Sequence, residues 1–266
     1  HLAKSQTDTI DNWIIDLAVP CFGGFCAQDW ADFVASHNDQ AIAADFVGNP
    51  DDQHKVYGCD LWVEVTGVSL PGFGCKEKVD VMLVLDRSGS ISSGEMTTLK
   101  TAAKAFVDAL SPSTPGIHIG QTSFSTNGTL DLHLSDDSPT IKAAIDGIVP
   151  GGFTNLFEGI DLANTELENP GDGHDRADGE SPDVMVIITD GAPNEPGTSA
   201  NARAVAAAEA DAARAAGVEI FVVGVGTTAG TADYLKMEIA DDAAHYFDAA
   251  DFGDLQAILD DLASCQ

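Results

Sequence analysis

The chain has 266 residues, 44% of them hydrophobic, which is enough for one large domain and a small one. Its 43 acidic and 12 basic residues give a formal net charge of −31. Such an acidic surface repels phosphate backbones and anionic headgroups, which argues against nucleic acid and membrane surfaces as partners. No apolar run reaches the roughly 18–20 residues of a membrane span.

The first 75 residues predict a small β-rich region. Segments 9–19 and 55–70 have the pattern of strands, and in the second segment Cys59, Leu61 and Val63 share one face. Two or three strands are too few for a self-sufficient sheet. We therefore expect residues 1–75 to pack on the main domain or to pair through their edges with another chain.

Residues 76–266 predict a single α/β domain in which strands and helices alternate. Apolar strands that alternate with helices indicate a doubly wound, mostly parallel sheet with helices on both faces. The helix at 92–110 places Leu99, Ala103, Phe106 and Leu110 on one face. The predicted elements in chain order are a strand at 78–85, a helix at 92–110, a hairpin at 116–124 and 129–134, a helix at 138–148 with Ser138 as N-cap, a helix at 155–169, a strand at 183–190, a helix at 198–217, a strand at 218–226, and a final helix, strand and helix.

Polar side chains follow the buried strands at the edge where such sheets bind ligands. The first strand leads into Asp86, Ser88 and Ser90, and the strand at 183–190 ends at Asp190. Thr154 lies in a glycine-rich loop just before a helix. Two carboxylates and three hydroxyls are hard oxygen ligands, which suit Mg²⁺, or alternatively Mn²⁺ or Ca²⁺.

Three segments, in this order and on these elements, resemble the metal-ion-dependent adhesion site (MIDAS) of a von Willebrand factor type A domain: "DRSGS" at 86–90, "GGFTN" at 151–155 and "ITDG" at 188–191. The resemblance covers about residues 79–264. It implies that Ser88 and Ser90 ligate the metal directly and that Thr154 does so in a high-affinity state. Asp86 and Asp190 then act largely through water or switch between direct and indirect contact. Phe153 is a departure, because many members have a smaller residue there.

This resemblance implies a secreted or cell-surface adhesion protein that binds an acidic group of a protein partner through the metal. Neutral hydroxyl ligands leave most of the ion's charge unquenched, which favours an incoming carboxylate. A metal-dependent enzyme, such as a phosphatase or chelatase component, is disfavoured because none of the seven histidines lies in these loops. His118, His133 and His174 are predicted to be structural or solvated.

A structural role is the alternative hypothesis. The segment "YGCDLWVEVTGVS" at 57–69 resembles β-rich subunits of biofilm-matrix fibres. That resemblance implies a subunit of an extracellular filament or surface layer, which displays the α/β domain and associates with itself through residues 1–75.

None of the five cysteines forms a C-x-x-C pair, which argues against a zinc or thioredoxin-like site. Secretion is the favoured compartment, because disulfides form and persist there. A bridge between Cys75 and Cys265 would join the ends of the α/β domain; two buried free thiols are the alternative. Cys21, Cys26 and Cys59 leave one odd cysteine whichever pair forms.

Two further motifs are weaker. "GVGTTAG" at 224–230 imitates a dinucleotide-binding loop but follows a late strand, so a tight turn is favoured. The acidic loop at 170–183 offers Asp172, Asp175, Asp178 and Glu180 to Ca²⁺ but lacks EF-hand spacing, so a solvated loop is favoured.

Overall fold

The computed structural model describes residues 15–16, 64–65 and 78–264, apart from residues 170, 172, 178 and 179. Strands β1 (Ile15–Asp16) and β2 (Glu64–Val65) pair in antiparallel orientation. They fall within the two strands predicted for the amino-terminal region. The rest of that region and all five cysteines lie outside the described residues, so the disulfide assignments stay predictions.

The chain divides into two units, residues 1–69 and residues 70–266. The second unit contains a six-stranded sheet of order β5-β4-β3-β6-β7-β8. Neighbouring strands are parallel except for β5, the edge strand, which is antiparallel to β4. This confirms the predicted α/β class. The strands are β3 (Val79–Asp86), β4 (Ile117–Phe124), β5 (Gly128–Ser135), β6 (Asp183–Thr189), β7 (Glu219–Val225) and β8 (Tyr246–Ala249).

Six helices cover both faces of the sheet. One face is packed by α1, α2 and α6, and the other by α3, α4 and α5. The bounds are α1 (Ser93–Leu110), α2 (Ser138–Gly147), α3 (Leu156–Leu167), α4 (Ser199–Ala216), α5 (Ala229–Tyr234) and α6 (Leu255–Ala263). A π-helical turn (Leu235–Ile239) continues α5, and a 3₁₀ turn (Ala243–His245) precedes β8. Among the described residues, no helix combines the length and the apolar character needed to cross a membrane.

The central strand β3 shows how the two cores form. All eight of its residues are buried. Val81, Leu83 and Leu85 contribute to the core beneath α1, whereas Met82 and Val84 contribute to the core beneath α3. Side chains alternate between the faces of a strand, so a strand covered on both faces is apolar at most positions; Asp80 is the exception inside β3. The apolar run therefore ends where the sheet ends, at Asp86.

Helix α2 begins with a different cap from the one predicted. Asp137, not Ser138, is the N-cap, and its carboxylate accepts a hydrogen bond from the backbone N–H of Thr140 at 3.1 Å. Ser138 is instead the first helical residue and Pro139 lies in the first turn. The proline can occupy this turn because its missing N–H would have no intrahelical partner there.

The predicted solvated loop at 170–183 is exposed at Gly171, Gly173, His174, Ala177 and Glu180. Asp175 and Ser181 differ from the prediction, because both are buried. Arg176 contacts Asp80, a fully buried residue of β3, through two guanidinium nitrogens at 2.7 and 3.0 Å. The same guanidinium donates to the carbonyl oxygen of Gly116 at 2.8 Å. A charge buried in the sheet thus holds this part of the loop against the strand ends.

Candidate metal centre at the carboxyl edge of the sheet

Asp86 ends β3 with a fully buried carboxylate. Its Oδ1 accepts a hydrogen bond from the backbone N–H of Ser88 at 2.7 Å. Its Oδ2 accepts a hydrogen bond from the hydroxyl of Thr189, the last residue of β6, at 2.7 Å. Because β3 and β6 are adjacent parallel strands, the two chain segments that leave them diverge from one point. Asp86 links these segments and fixes the turn that carries the serines.

Two serines and a second aspartate form a hydrogen-bonded chain above Asp86. The hydroxyl oxygens of Ser88 and Ser90 are 2.9 Å apart, and the Ser90 hydroxyl donates to Asp190 Oδ1 at 2.9 Å. Ser88 is 1% exposed, whereas Ser90 is exposed and Asp190 is partly buried. The structure therefore links four of the five predicted residues, Asp86, Ser88, Ser90 and Asp190, through consecutive hydrogen bonds, and the Ser90 side of this chain is open to solvent.

The fifth residue, Thr154, lies on a loop that is tied to both of these segments. The Gly89 N–H donates to the Gly152 carbonyl oxygen at 3.0 Å, which joins the glycine-rich loop to the turn after β3. The Thr154 N–H donates to the side-chain oxygen of Asn194, and the Asn194 N–H donates to the Thr154 carbonyl, both at 2.9 Å. Thr154 itself is 5% exposed.

Glycine is needed at the approach of these loops. A Cβ on Gly89 would lie 3.0 Å from the Gly152 carbonyl oxygen, and Gly152 has a φ of +92°. Phe153, the departure from the family pattern, is 57% exposed, and its N–H donates to the Thr126 hydroxyl at 3.1 Å. Its ring therefore extends towards solvent beside the site while Thr154 keeps its buried position.

The electrostatics of the site favour a cation. Burial raises the pKa of Asp86 to about 6; the Thr189 hydrogen bond opposes this rise, and the charge of Asp190 adds to it. Burial also raises the pKa of Asp190, against the hydrogen bond from Ser90. A buried carboxylate whose charge is opposed by a second carboxylate, with hydroxyl oxygens beside both, fits a hard divalent ion.

Three residues that position this site were missed at the level of sequence. Thr189 precedes the "DG" of its motif and bonds Asp86; Asn194 follows the same motif and bonds Thr154. Arg87 stands inside "DRSGS", and its guanidinium donates to the hydroxyls of Ser123 (3.1 Å) and Ser125 (2.7 Å) on the β4 side. Each of the three is a polar residue in or near a predicted motif, which was the only signal in the sequence. Its hydrogen-bond partner lies in another segment and could not be predicted.

Comparison with known families identifies the family of the α/β domain. The family model described as the von Willebrand factor type A domain matches residues 80–261. The chain belongs to this family. The match contains all three segments of the candidate site and runs from β3 to α6, so the α/β domain is a von Willebrand factor type A (vWA) domain.

The curated relatives match the vWA domain over about the same length. A protein named UPF0353 from Mycolicibacterium paratuberculosis (strain ATCC BAA-968 / K-10) is 36% identical over 159 residues, which are 58% of this chain and 46% of that protein. Human matrilin-3 is 26% identical over 171 residues, 60% of this chain and 33% of matrilin-3. The chain thus spans less than half the length of these relatives.

Solved structures show the same architecture. Proximal thread matrix protein 1 from the mussel byssus, solved with a zinc-occupied MIDAS motif, superposes with a TM-score of 0.57 at 26% identity, covering 71% of this chain and 46% of that one. The vWF domain of the type V pili tip protein Mfa5 from Porphyromonas gingivalis gives a TM-score of 0.61 at 15% identity, covering 71% and 94%. At this low identity, the similarity to Mfa5 shows a shared fold and nothing further.

Proposed function

We propose that this vWA domain is an extracellular adhesion module. It binds Mg²⁺ at Asp86, Ser88, Ser90, Thr154 and Asp190, and through the ion it binds a carboxylate of a protein partner. The observation that carries this proposal is the hydrogen-bonded chain of Ser88, Ser90 and Asp190 over the buried Asp86. The zinc-occupied MIDAS motif of the byssus protein supports a metal at the equivalent motif here.

The ligand types determine what the ion can do. Ser88 and Ser90 contribute neutral oxygens, as does Thr154, so most of the ion's charge is left for a further ligand. Asp86 accepts two hydrogen bonds within the protein, which leaves it better placed to orient the serines and a bound water than to neutralise the ion. When bound, the ion supplies an open coordination position with a strong preference for an anionic oxygen. A glutamate or aspartate of the partner meets that preference.

Phe153 adds an apolar contact beside the ion. Its ring is 57% exposed one residue before Thr154, and Val149 in the same loop is 70% exposed. Exposed aromatic residues next to a polar anchor are typical of binding hot spots, where they exclude water from the polar contact. We therefore assign Phe153 to the rim of the partner-binding surface.

The placement of the histidines favours binding over catalysis. His118 is the second residue of β4, and His245 directly precedes β8, so both lie at the amino-terminal edge of the parallel strands. His133 and His174 stack on each other near the end of antiparallel β5, which is the same edge. The four histidines in the described part of the chain are therefore at the opposite edge from the candidate metal centre, where none can act as its general base.

The filament hypothesis is not carried by an observation of the described residues. It rests on residues 1–75, of which the structure describes β1 and β2 alone. The boundary between that region and the vWA domain, and self-association through it, accordingly stay predictions.

The test is metal-dependent capture by the whole chain. Immobilised protein should retain a partner from a surface extract of the source cells in Mg²⁺, release it in EDTA, and regain it when Mg²⁺ is restored. The variant Ser88→Ala should lose capture while its circular dichroism spectrum is unchanged. Ser113→Ala is the matched control, because Ser113 is exposed and lies just before β4, at the other edge. Capture that survives EDTA or Ser88→Ala would contradict the proposal.

A further inference from the structure

A second group of ligating side chains lies at the opposite edge of the sheet. His133 of β5, Glu166 of α3 and His174 of the following loop each offer one ligand atom, and these atoms all lie within 4.8 Å of one another. β5 begins opposite Phe124, at the edge that carries the candidate Mg²⁺ centre, and His133 is five residues further along. At about 3.4 Å per residue, His133 is about 17 Å along the strand from that edge. The two groups of ligands are thus separate.

A β-bulge places His133 in this cluster. In the β4–β5 register, Ile119 is opposite Ser135 and Gln121 is opposite Leu132, so His133 and Leu134 both oppose the single residue Gly120. A bulge leaves one residue out of the regular alternation and re-aims its side chain. Gly120 accommodates the bulge closely, because a Cβ there would lie 3.2 Å from the Leu134 nitrogen. Leu134 enters the core beneath α3, and the imidazole of His133 reaches the end of the same helix.

Glu166 supplies a buried carboxylate at the centre of the cluster. It is 3% exposed, its Oε1 accepts the backbone N–H of Leu134 at 2.9 Å, and its Oε2 is 2.8 Å from His133 Nδ1. His133 can carry its proton on Nε2 instead, which frees the Nδ1 lone pair beside Glu166 Oε2 for a metal ion. Nδ1 and Oε2 are then neighbouring ligand atoms, and the hydrogen bond from the Leu134 nitrogen to Oε1 holds the carboxylate in place.

His174 completes the set from the loop after α3. Its ring stacks on that of His133 with centroids 4.6 Å apart and planes at 15°. Both histidines are exposed, so small side-chain rotations can close the ligand atoms to the separation of about 3.3 Å that tetrahedral zinc at 2.0–2.1 Å requires. Two imidazoles and one carboxylate are the ligands of zinc-class ions, in contrast to the all-oxygen set at the other edge.

We propose that His133, Glu166 and His174 bind a zinc-class transition-metal ion, with water completing the tetrahedron. The ion would join the loop that carries His174 to β5 and α3. This site is independent of the adhesion function proposed above, since it neither shares a residue with that site nor lies at the same edge.

The experiment uses the full chain with the other centre disabled. The double variant Ser88→Ala/Ser90→Ala serves as the background into which the further substitutions are introduced. It is needed because zinc can also occupy a MIDAS motif, as in the byssus protein. Calorimetric titration with Zn²⁺ should show one equivalent that is lost, or weakened at least about 100-fold, on adding His133→Ala and His174→Ala. Zn²⁺ should raise the melting temperature of the background variant but not of the variant that also lacks both histidines.

His245→Ala is the matched control, since this histidine belongs to the turn before β8; it should leave the zinc equivalent intact. Glu166→Gln tests the carboxylate and should weaken zinc binding with both histidines present. Equal zinc stoichiometry and affinity with and without His133 and His174 would overturn the proposal, and so would the absence of a zinc-dependent melting shift in the background variant. Either result leaves the Mg²⁺-dependent capture experiment unaffected.

Discussion

Thr189→Val removes the hydroxyl that hydrogen-bonds Asp86, together with its longer hydrogen bond from the Gly191 N–H at 3.3 Å, without opening a cavity. Thr189 is 1% exposed, and its hydroxyl donates to Asp86 Oδ2 at 2.7 Å. Valine has nearly the same shape, so the change isolates the hydroxyl. A hydrogen bond to a charged group contributes about 1.5–3 kcal/mol to stability. Loss of a residue that orients a metal ligand typically weakens metal affinity about 10–100-fold. We expect both effects in this variant.

Calorimetric titration with Mg²⁺ and urea denaturation measure these two quantities on the same protein. Thr189→Ser is the matched control, because it keeps the hydroxyl and should bind Mg²⁺ within a few-fold of the wild type. The expected result for Thr189→Val is a lower free energy of unfolding and a larger dissociation constant for Mg²⁺. Wild-type Mg²⁺ affinity in this variant would show that Asp86 does not organise the metal site.

Three further perturbations test the account. Arg176→Met leaves Asp80 buried without its cation, so the free energy of unfolding in urea should fall by about 3–5 kcal/mol; a loss below about 1 kcal/mol would contradict this. Phe153→Ala should weaken partner capture but leave the calorimetric Mg²⁺ affinity unchanged. Burial lowers the pKa of His245, but hydrogen bonds to Glu219 and Asp242 outweigh it and hold this pKa above its usual value. Its contribution to stability is therefore full below about pH 6.5 and is lost as the pH rises through the folded-state value, a slope that His245→Gln should flatten in urea titrations.

Sequence alone was sufficient to assemble most of the candidate site. Asp86 and Asp190 each end an apolar run, and parallel strands bring such ends to one edge, so their proximity follows from the fold class. The structure agrees, with Ser90 bonded to Asp190 across 100 positions of sequence. The burial of β3 was also predictable, because six of its eight residues are apolar, as expected of a strand covered on both faces.

Contacts that depend on tertiary register were not predictable. Arg176 meets Asp80 across 96 positions, and no local pattern marks an arginine in an acidic loop as the partner of a strand residue. His133 was predicted to be structural or solvated because it lies in a hairpin strand; the bulge opposite Gly120 and the contact with Glu166 depend on register and were not predictable. The helix that carries Glu166 was predictable. The hydrogen bond that Glu166 accepts from the backbone nitrogen of Leu134 was not.

Calorimetric titration with Mg²⁺ of the wild type and Ser88→Ala shows whether the turn after β3 holds a metal ion. We expect one Mg²⁺ site in the wild type that is absent from Ser88→Ala and retained in Ser113→Ala, with all three proteins equally folded by circular dichroism. Equal Mg²⁺ binding by wild type and Ser88→Ala would contradict this expectation.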